Sequence, residues 1–293
     1  PRSVVSSAEP DLLVRDLATI QLVKGQIEPI SIDMVDLRFL LENRMTSRFR
    51  TCVLLLVLMA HTGASAQVGA GIFALQTMLD DKSPEIRVKA AQGLGRVGGR
   101  RAVMILRRGL TDSRLEVRIA VIEALGFVGG QLALTVLSEA LKDKAPEIRK
   151  RAVEALKDAG TITAIPIIQK AFGDKNAGVR LHAALMLRKI GNRRGVPVLG
   201  QVVLSDTEPA VRSAAARYLG SVGVKDPRAV AFLAQVIDGD KSAAVRIRAV
   251  ESLGFIQLPQ AIAVLRQALS DKDPGVRIRA TEVMGRVLAK DFE

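Results

Sequence analysis

Apolar side chains recur along residues 68–290 with the spacing of short amphipathic helices. In one segment the apolar or small residues are Val245, Ala249, Val250, Leu253 and Ile256. This spacing places all of them on one face of an α-helix. The stretches 102–110 and 162–172, each just upstream of such a segment, show the same period. The pattern therefore predicts pairs of short helices that follow one another along the chain.

An apolar residue followed by arginine recurs seven times, at intervals of 31 to 34 residues, and reveals an internal repeat. The pairs are Ile86-Arg87, Val117-Arg118, Ile148-Arg149, Val179-Arg180, Val211-Arg212, Val245-Arg246 and Val276-Arg277. An aspartate stands six residues before each arginine, and a Leu or Met stands eight residues after each apolar member. One helix pair cannot bury its own apolar face, so stacking of the repeats is required. The fold class predicted is all-α, a solenoid of about seven helix pairs.

These columns, with stretches such as EIRVKAAQGLG at 85–95, resemble HEAT repeats of the short subtype known from phycobilisome lyase subunits. The resemblance implies a right-handed α-α superhelix whose concave face is lined by the Arg-bearing second helices. It also implies a structural ladder between neighbouring turns, formed by Asp81, Arg87, Asp112, Arg118, Asp143, Arg149, Asp174, Arg180, Asp206, Arg212, Asp240, Arg246, Asp271 and Arg277. Each aspartate is expected to accept from free N–H groups of the first helix or to pair with a ladder arginine. Within one repeat, Arg180 is expected to be the partner of Asp174.

Residues 45–66 contain the three parts of a secretory signal peptide in the correct order. Arg48 and Arg50 precede the apolar run 52–60, and Ala64-Ser65-Ala66 provides the small-residue cleavage site. The run is too short to span a bilayer, which needs about 20 apolar residues. We therefore expect an upstream extension at 1–44 that is disordered or absent from the mature protein, a signal peptide at 45–66, and a solenoid at 67–293. The protein would then be periplasmic or extracellular. A buried apolar helix at 45–66 is the alternative.

Composition excludes most kinds of self-contained active site. Cys52 is the single cysteine and His61 and His182 are the two histidines, so disulfide frameworks and multi-residue metal centres are not expected. Neither histidine is followed by glutamate, which excludes the iron site of HEAT-like deoxyhypusine hydroxylases. No Trp and one Tyr provide little stacking surface for nucleic-acid bases. No catalytic residue, metal or cofactor is expected, and nucleic acid is disfavoured as a partner.

Charge points to a binding surface instead. The net charge is +13, and residues 1–66 are neutral overall, so the excess belongs to 67–293. One position of the second helix carries Lys89, Arg151, His182, Arg248 and Arg279, and another carries Phe127 and Phe255. These are the candidate groove contacts, although glutamates interrupt the row and a merely solvated surface is the alternative. The phenylalanines would be contact anchors or would pack against a neighbouring repeat.

The function that follows is an exported scaffold for protein–protein interaction. An acidic protein or an anionic envelope surface is the expected partner. Two alternatives stay open: a non-autonomous enzyme subunit resembling bilin lyase subunits, and a nucleic-acid-binding solenoid.

Overall fold

The computed structural model describes residues 67–290, all within the expected solenoid. The segments 1–44 and 45–66, with Cys52 and His61, lie outside the described residues. The described part contains fourteen α-helices and no strand. The first helices of the repeats are α1 (67–79), α3 (Gly99–Gly109), α5 (Gly130–Ala140), α7 (Ile165–Lys170), α9 (Gly195–Ser205), α11 (Pro227–Gly239) and α13 (Pro259–Ala268). The second helices are α2 (Pro84–Val97), α4 (Leu115–Val128), α6 (Pro146–Gly160), α8 (Ala177–Ile190), α10 (Pro209–Val222), α12 (Ala243–Ile256) and α14 (Pro274–Lys290).

The seven helix pairs confirm the predicted all-α solenoid. One continuous core runs through it, built from the apolar positions of every repeat. The leucines of the third sequence column, including Leu94, Leu125, Leu156 and Leu187, have at most 1% of their surface exposed. Burying one leucine contributes about 2 kcal/mol, so this column stabilises the packing of the two helices in each pair.

The second helices of successive repeats pack more closely together than the first helices do. They therefore form the concave side of the solenoid, and the first helices form the convex side. Glycine makes the close approach possible: a Cβ added to Gly95 would lie 2.9 Å from the Ala124 Cβ, and one at Gly126 would lie 3.1 Å from the Ala155 Cβ. In the third and fourth repeats, Lys157 and Arg188 occupy the position of this glycine.

The fourth repeat departs from the expected regular helix over 162–172. The structure has a 3-10 turn at Thr161–Ala164, the short helix α7, and a second 3-10 turn at Ala171–Gly173. Pro166 lies in the first turn of α7, where its missing N–H is tolerated. The hydroxyl of Thr163 donates to the Gly160 carbonyl at 2.7 Å, which stabilises the tight preceding turn. The change is local, because Ile165 and Ile168 still point into the core.

Candidate functional site

The Asp–Arg columns form a ladder in which each arginine reaches forward to the next repeat. The bonded pairs are Arg87–Asp112, Arg118–Asp143, Arg149–Asp174, Arg180–Asp206, Arg212–Asp240 and Arg246–Asp271, with closest N–O distances of 2.5 to 2.8 Å. The same guanidinium donates backwards to the backbone carbonyl of its own repeat's aspartate, as Arg149 does to Asp143 at 2.8 Å. One side chain thus joins two consecutive inter-helix turns.

The pairing of Arg180 with Asp174 expected within one repeat is wrong. Arg180 donates to both carboxylate oxygens of Asp206, at 2.7 and 2.9 Å, and touches only the backbone oxygen of Asp174. The carboxylate of Asp174 belongs to Arg149. Of the two roles expected for the ladder aspartates, the structure has the pairing with a ladder arginine and not the bonds to the first helix. They accept the N–H two residues further on, ahead of the second helix, as Asp174 does from Asn176 at 2.8 Å.

The ends of the ladder follow the same rules. At the amino-terminal end the Asp81 carboxylate accepts the Ser83 N–H at 2.7 Å. At the carboxyl-terminal end Arg277 donates to the carbonyls of Asp271 and Lys272. The ladder residues are therefore bonded to backbone or to each other throughout the described repeats, which is a structural role.

Electrostatics support this role. The hydrogen bonds from Arg149 hold the pKa of Asp174 below its ordinary value against the opposing effect of burial. The bonds from Arg246 do the same to the pKa of Asp271. A lowered carboxyl pKa is here the sign of a stable ion pair, and not of an acid or base prepared for proton transfer.

The arginines of the predicted groove row are neutralised by glutamates on the concave face. Arg151 lies 3.9, 3.5 and 3.6 Å from carboxylate oxygens of Glu123, Glu147 and Glu154. We call these four residues the first ion-pair cluster. Both partners are solvent-accessible, so each contact contributes little stability. It nevertheless cancels the positive charge that a partner would meet.

A second ion-pair cluster lies three repeats further on. It consists of Arg248, Glu251, Arg279 and Glu282. Arg279 lies 3.2 Å from Glu251 of the preceding repeat and 2.8 Å from Glu282 of its own. The row predicted from sequence is therefore not a free basic track, because Arg151, Arg248 and Arg279 all have acidic neighbours. Lys89, in the first repeat, is exposed.

Between the two clusters the concave face changes character. Helices α8 and α10 contain no Asp or Glu, yet α8 presents Arg188 and Lys189 and α10 presents Arg217, all exposed. Within residues 67–290 no carboxylate lies within 4 Å of a charged nitrogen in these side chains. The guanidinium of Arg188 lies 5.5 Å from the ring centroid of Tyr218, a cation–π contact between repeats. Sequence reasoning overlooked Arg188 and Arg217. The signal that could have found them is that two consecutive second helices contain no acidic residue.

His182 lies at the edge of this central region and is half-buried. Burial lowers the pKa of its imidazole, and the positive charges of Lys150 and Lys189 lower it further, while Glu154 and Glu147 act in the opposite direction. The ring is therefore neutral at pH 7. Its Nε2 is buried and has no hydrogen-bond partner among the described residues. A single neutral imidazole with no nucleophile beside it gives the region no evident catalytic machinery.

The two candidate anchors are exposed. Phe127 has 76% and Phe255 has 59% of its surface accessible, so neither is buried against a neighbouring repeat. They occupy equivalent positions near the carboxyl ends of α4 and α12. Each is thus available on the rim of the concave face as an apolar contact.

Chemistry of other kinds finds little support in the described residues. No group of His, Cys, Asp and Glu within 67–290 has the arrangement of a metal site. None of the described helices combines the length and hydropathy needed to cross a membrane. The surface depressions at the inter-repeat turns are lined by ladder residues, such as Asp143, Arg149 and Asp174, which are already bonded.

Comparisons with known proteins agree with this architecture. The family profile for HEAT repeats matches residues 73–157, 136–204, 165–243 and 231–290. Karyopherin Kap121p, bound to the extreme C-terminus of the protein phosphatase Cdc14p, is similar at a TM-score of 0.56 and 16% identity, over 74% of this chain and 29% of that chain. No curated protein sequence matches the chain.

Two further solved structures share the repeat organisation more loosely. Human deoxyhypusine hydroxylase is similar at 22% identity and a TM-score of 0.39, covering 79% of this chain and 91% of that chain. The complex of CpcE and CpcF of phycocyanin lyase from Nostoc sp. PCC7120 has 21% identity and a TM-score of 0.39, over 73% and 93%. At these identities the likeness concerns the fold, and activity has to be argued from the residues themselves.

Proposed function

The chain belongs to the HEAT-repeat family, and we propose that it is a scaffold that binds a protein partner along its concave face. The observation that carries the proposal is that the charged residues fall into two sets with different roles. The ladder uses its aspartates and arginines to join repeats, whereas the concave face presents exposed charged and aromatic side chains that the fold does not need. Surplus exposed groups of this kind on a rigid solenoid are suited to recognition.

Binding accounts for these residues better than catalysis does. The lowered carboxyl pKa values in the ladder are explained by arginine partners, and the lowered His182 pKa is explained mainly by burial. Kap121p, of similar fold, holds the C-terminal segment of another protein. An extended concave surface of stacked helices gives this chain the means to do likewise.

A pair of bulky substitutions tests the scaffold. Ser221→Trp adds an indole to the concave face on α10, and Gln201→Trp adds one to the convex face on α9; both positions are exposed. Affinity purification from the native host, followed by mass spectrometry, should recover partner proteins with the Gln201 variant and lose them with the Ser221 variant. Equal recovery of partner proteins with both variants would contradict binding along the concave face.

We also propose that the scaffold is exported and that its partner is acidic. Support for export is the tripartite segment 45–66, and support for an acidic partner is the net charge of +13. Amino-terminal sequencing of the protein from its native host should then begin at Gln67. Protein that retains residues 1–44 in the cytoplasm would contradict export without affecting the scaffold.

A further inference from the structure

The concave face of the described repeats carries a cluster of unpaired positive charges where α6, α8 and α10 meet. Lys150 of α6 lies against the start of α8, since a Cβ added to Gly178 would be 3.4 Å from its Nζ. Arg188 and Lys189 of α8 and Arg217 of α10 are exposed. We call Lys150, Arg188, Lys189 and Arg217 the central basic patch. No ion pair with a carboxylate involves these four side chains within the described repeats. The patch therefore differs from the two ion-pair clusters on either side of it, where arginines and glutamates cancel.

We propose that the central basic patch binds a short acidic segment of a protein partner, with Tyr218 as part of its floor. This rests on the proposed function and identifies the place on the scaffold where the partner is held. Arginine and lysine side chains that form no ion pair are free to pair with incoming carboxylates. Arg188 is positioned by its contact with Tyr218, so less side-chain freedom is lost when it binds. Leu181, 38% exposed in α8, adds an apolar contact.

The dimensions of the patch set the length of the segment. Three neighbouring second helices at about 9 Å spacing span roughly 20 Å. An extended peptide advances about 3.3 Å per residue, so about six residues cover the patch. The acidic side chains should fall in this stretch, and longer acidic runs would gain nothing, because the two ion-pair clusters begin on either side.

The same flanking clusters argue against a nucleic-acid strand. A phosphate backbone that crossed the patch would next meet Glu123 and Glu154 on one side or Glu251 and Glu282 on the other. Affinity for nucleic acid grows with the number of phosphates neutralised, and here that number is limited to a few. Tyr218 is the one tyrosine of the chain and is covered by Arg188, so a row of stacking rings is also missing.

His182 provides a spectroscopic reporter at the edge of the patch. The charged groups that act on its imidazole are Lys150 and Lys189, which lower the pKa, and Glu154 and Glu147, which raise it. An acidic peptide on the patch would screen the lysines and add negative charge. The pKa of His182 should therefore rise when the peptide binds.

The experiment measures binding of a fluorescein-labelled peptide with about six consecutive glutamates, by anisotropy, to the full chain and to two charge-reversed variants. Lys189→Glu with Arg217→Glu changes the patch. Arg100→Glu with Arg101→Glu is the matched control, because it makes the same charge change at exposed positions of α3 on the convex side. We expect a loss of at least about tenfold for the patch variant at about 0.1 M salt, shrinking as salt rises. The control should change affinity by no more than about twofold.

Two outcomes of the binding measurement would overturn the proposal. One is an equal loss in both variants, which would mean that the peptide responds only to net charge. The other is tighter binding of a labelled single-stranded oligonucleotide than of the peptide at equal salt. An NMR titration that follows His182, assigned with a His182→Gln variant, should show the rise in pKa with peptide, and an unchanged pKa would also count against it. If the native partner is retained by the patch variant, the scaffold stands and the patch alone is wrong.

Discussion

Replacing Arg180 with methionine tests whether the ladder joins consecutive repeats. The side chain is 8% exposed and donates two hydrogen bonds to Asp206 and one to the Asp174 carbonyl. Methionine preserves much of the apolar stem but leaves Asp206 with the Glu208 N–H as its remaining hydrogen-bond donor in the structure. Removing one member of a buried pair costs about 3–5 kcal/mol. We expect about 3 kcal/mol, since Asp206 keeps that backbone bond.

The measurement is urea unfolding followed by circular dichroism at pH 7. With a slope of about 3 kcal/mol per molar, the midpoint should fall by about 1 M. Arg114→Met is the control, because Arg114 and Glu116 form an ion pair with 59% and 49% of their side chains exposed. That variant should change the free energy of unfolding by at most about 0.5 kcal/mol. Equal shifts of the two midpoints would refute the ladder as a source of stability.

The pH dependence of the unfolding free energy shows which aspartate Arg180 pairs with. Burial raises the pKa of Asp206, but hydrogen bonds from Arg180 and the Glu208 N–H outweigh it and hold the pKa below its ordinary value. A depressed carboxyl pKa stabilises the fold above the unfolded value of about 3.9 and loses this effect as pH falls through the folded value. The difference between wild type and Arg180→Met should therefore shrink below about pH 4. NMR of the carboxyl carbons should show a raised pKa at Asp206 and little change at Asp174; the reverse would restore pairing within one repeat.

Three other predictions concern stability. Gly126→Val should cost about 2–3 kcal/mol in thermal melts because its side chain would collide with Ala155, whereas Gly239→Ala, with open space around it, should be neutral or slightly stabilising. A larger loss for Gly239→Ala would contradict the close approach of second helices. Because Phe127 is exposed, Phe127→Ser should change the free energy of unfolding in urea by at most about 0.5 kcal/mol. Because Leu125 is buried, Leu125→Ala should lower it by about 3 kcal/mol. Comparable losses would mean that Phe127 supports the core. Wild-type stability in urea should be lower at pH 3 than at pH 7, since Asp112, Asp174, Asp206, Asp240 and Asp271 have lowered pKa values that favour the fold only while they are ionised. Equal stability at both pH values would show that these ion pairs contribute nothing.

The architecture was predictable because every repeat restates it. The apolar columns specify which face of each helix is buried, and seven copies remove the ambiguity that a single short helix would leave. The irregular first helix of the fourth repeat was not predicted. Its residues keep the apolar period, and the shift to 3-10 geometry depends on Pro166 and on a local bond of Thr163.

Pairing between repeats was harder to predict from sequence. Each repeat carries both Asp and Arg, so the sequence columns are compatible with a contact six residues away within a repeat and with one 25 residues away between repeats. In the structure Arg149 pairs with the carboxylate of Asp174 and not with that of Asp143. The prediction of a free basic row in the groove was wrong for a related reason. Whether Arg151 is free depends on the three glutamates that surround it in space, one of which comes from the preceding repeat.

The most direct test of the account is site-specific photo-crosslinking in the native host. A crosslinking residue is placed at Lys89 or Ser221 on the concave face, and at Gln201 or Gln235 on the convex face, all of them exposed. The account predicts that the concave positions, and Ser221 above all because it lies on α10 beside the central basic patch, form adducts with one and the same protein, while the convex positions do not. Adducts to that protein from Gln201 and Gln235, with none from Lys89 and Ser221, would contradict a scaffold that works through its second helices.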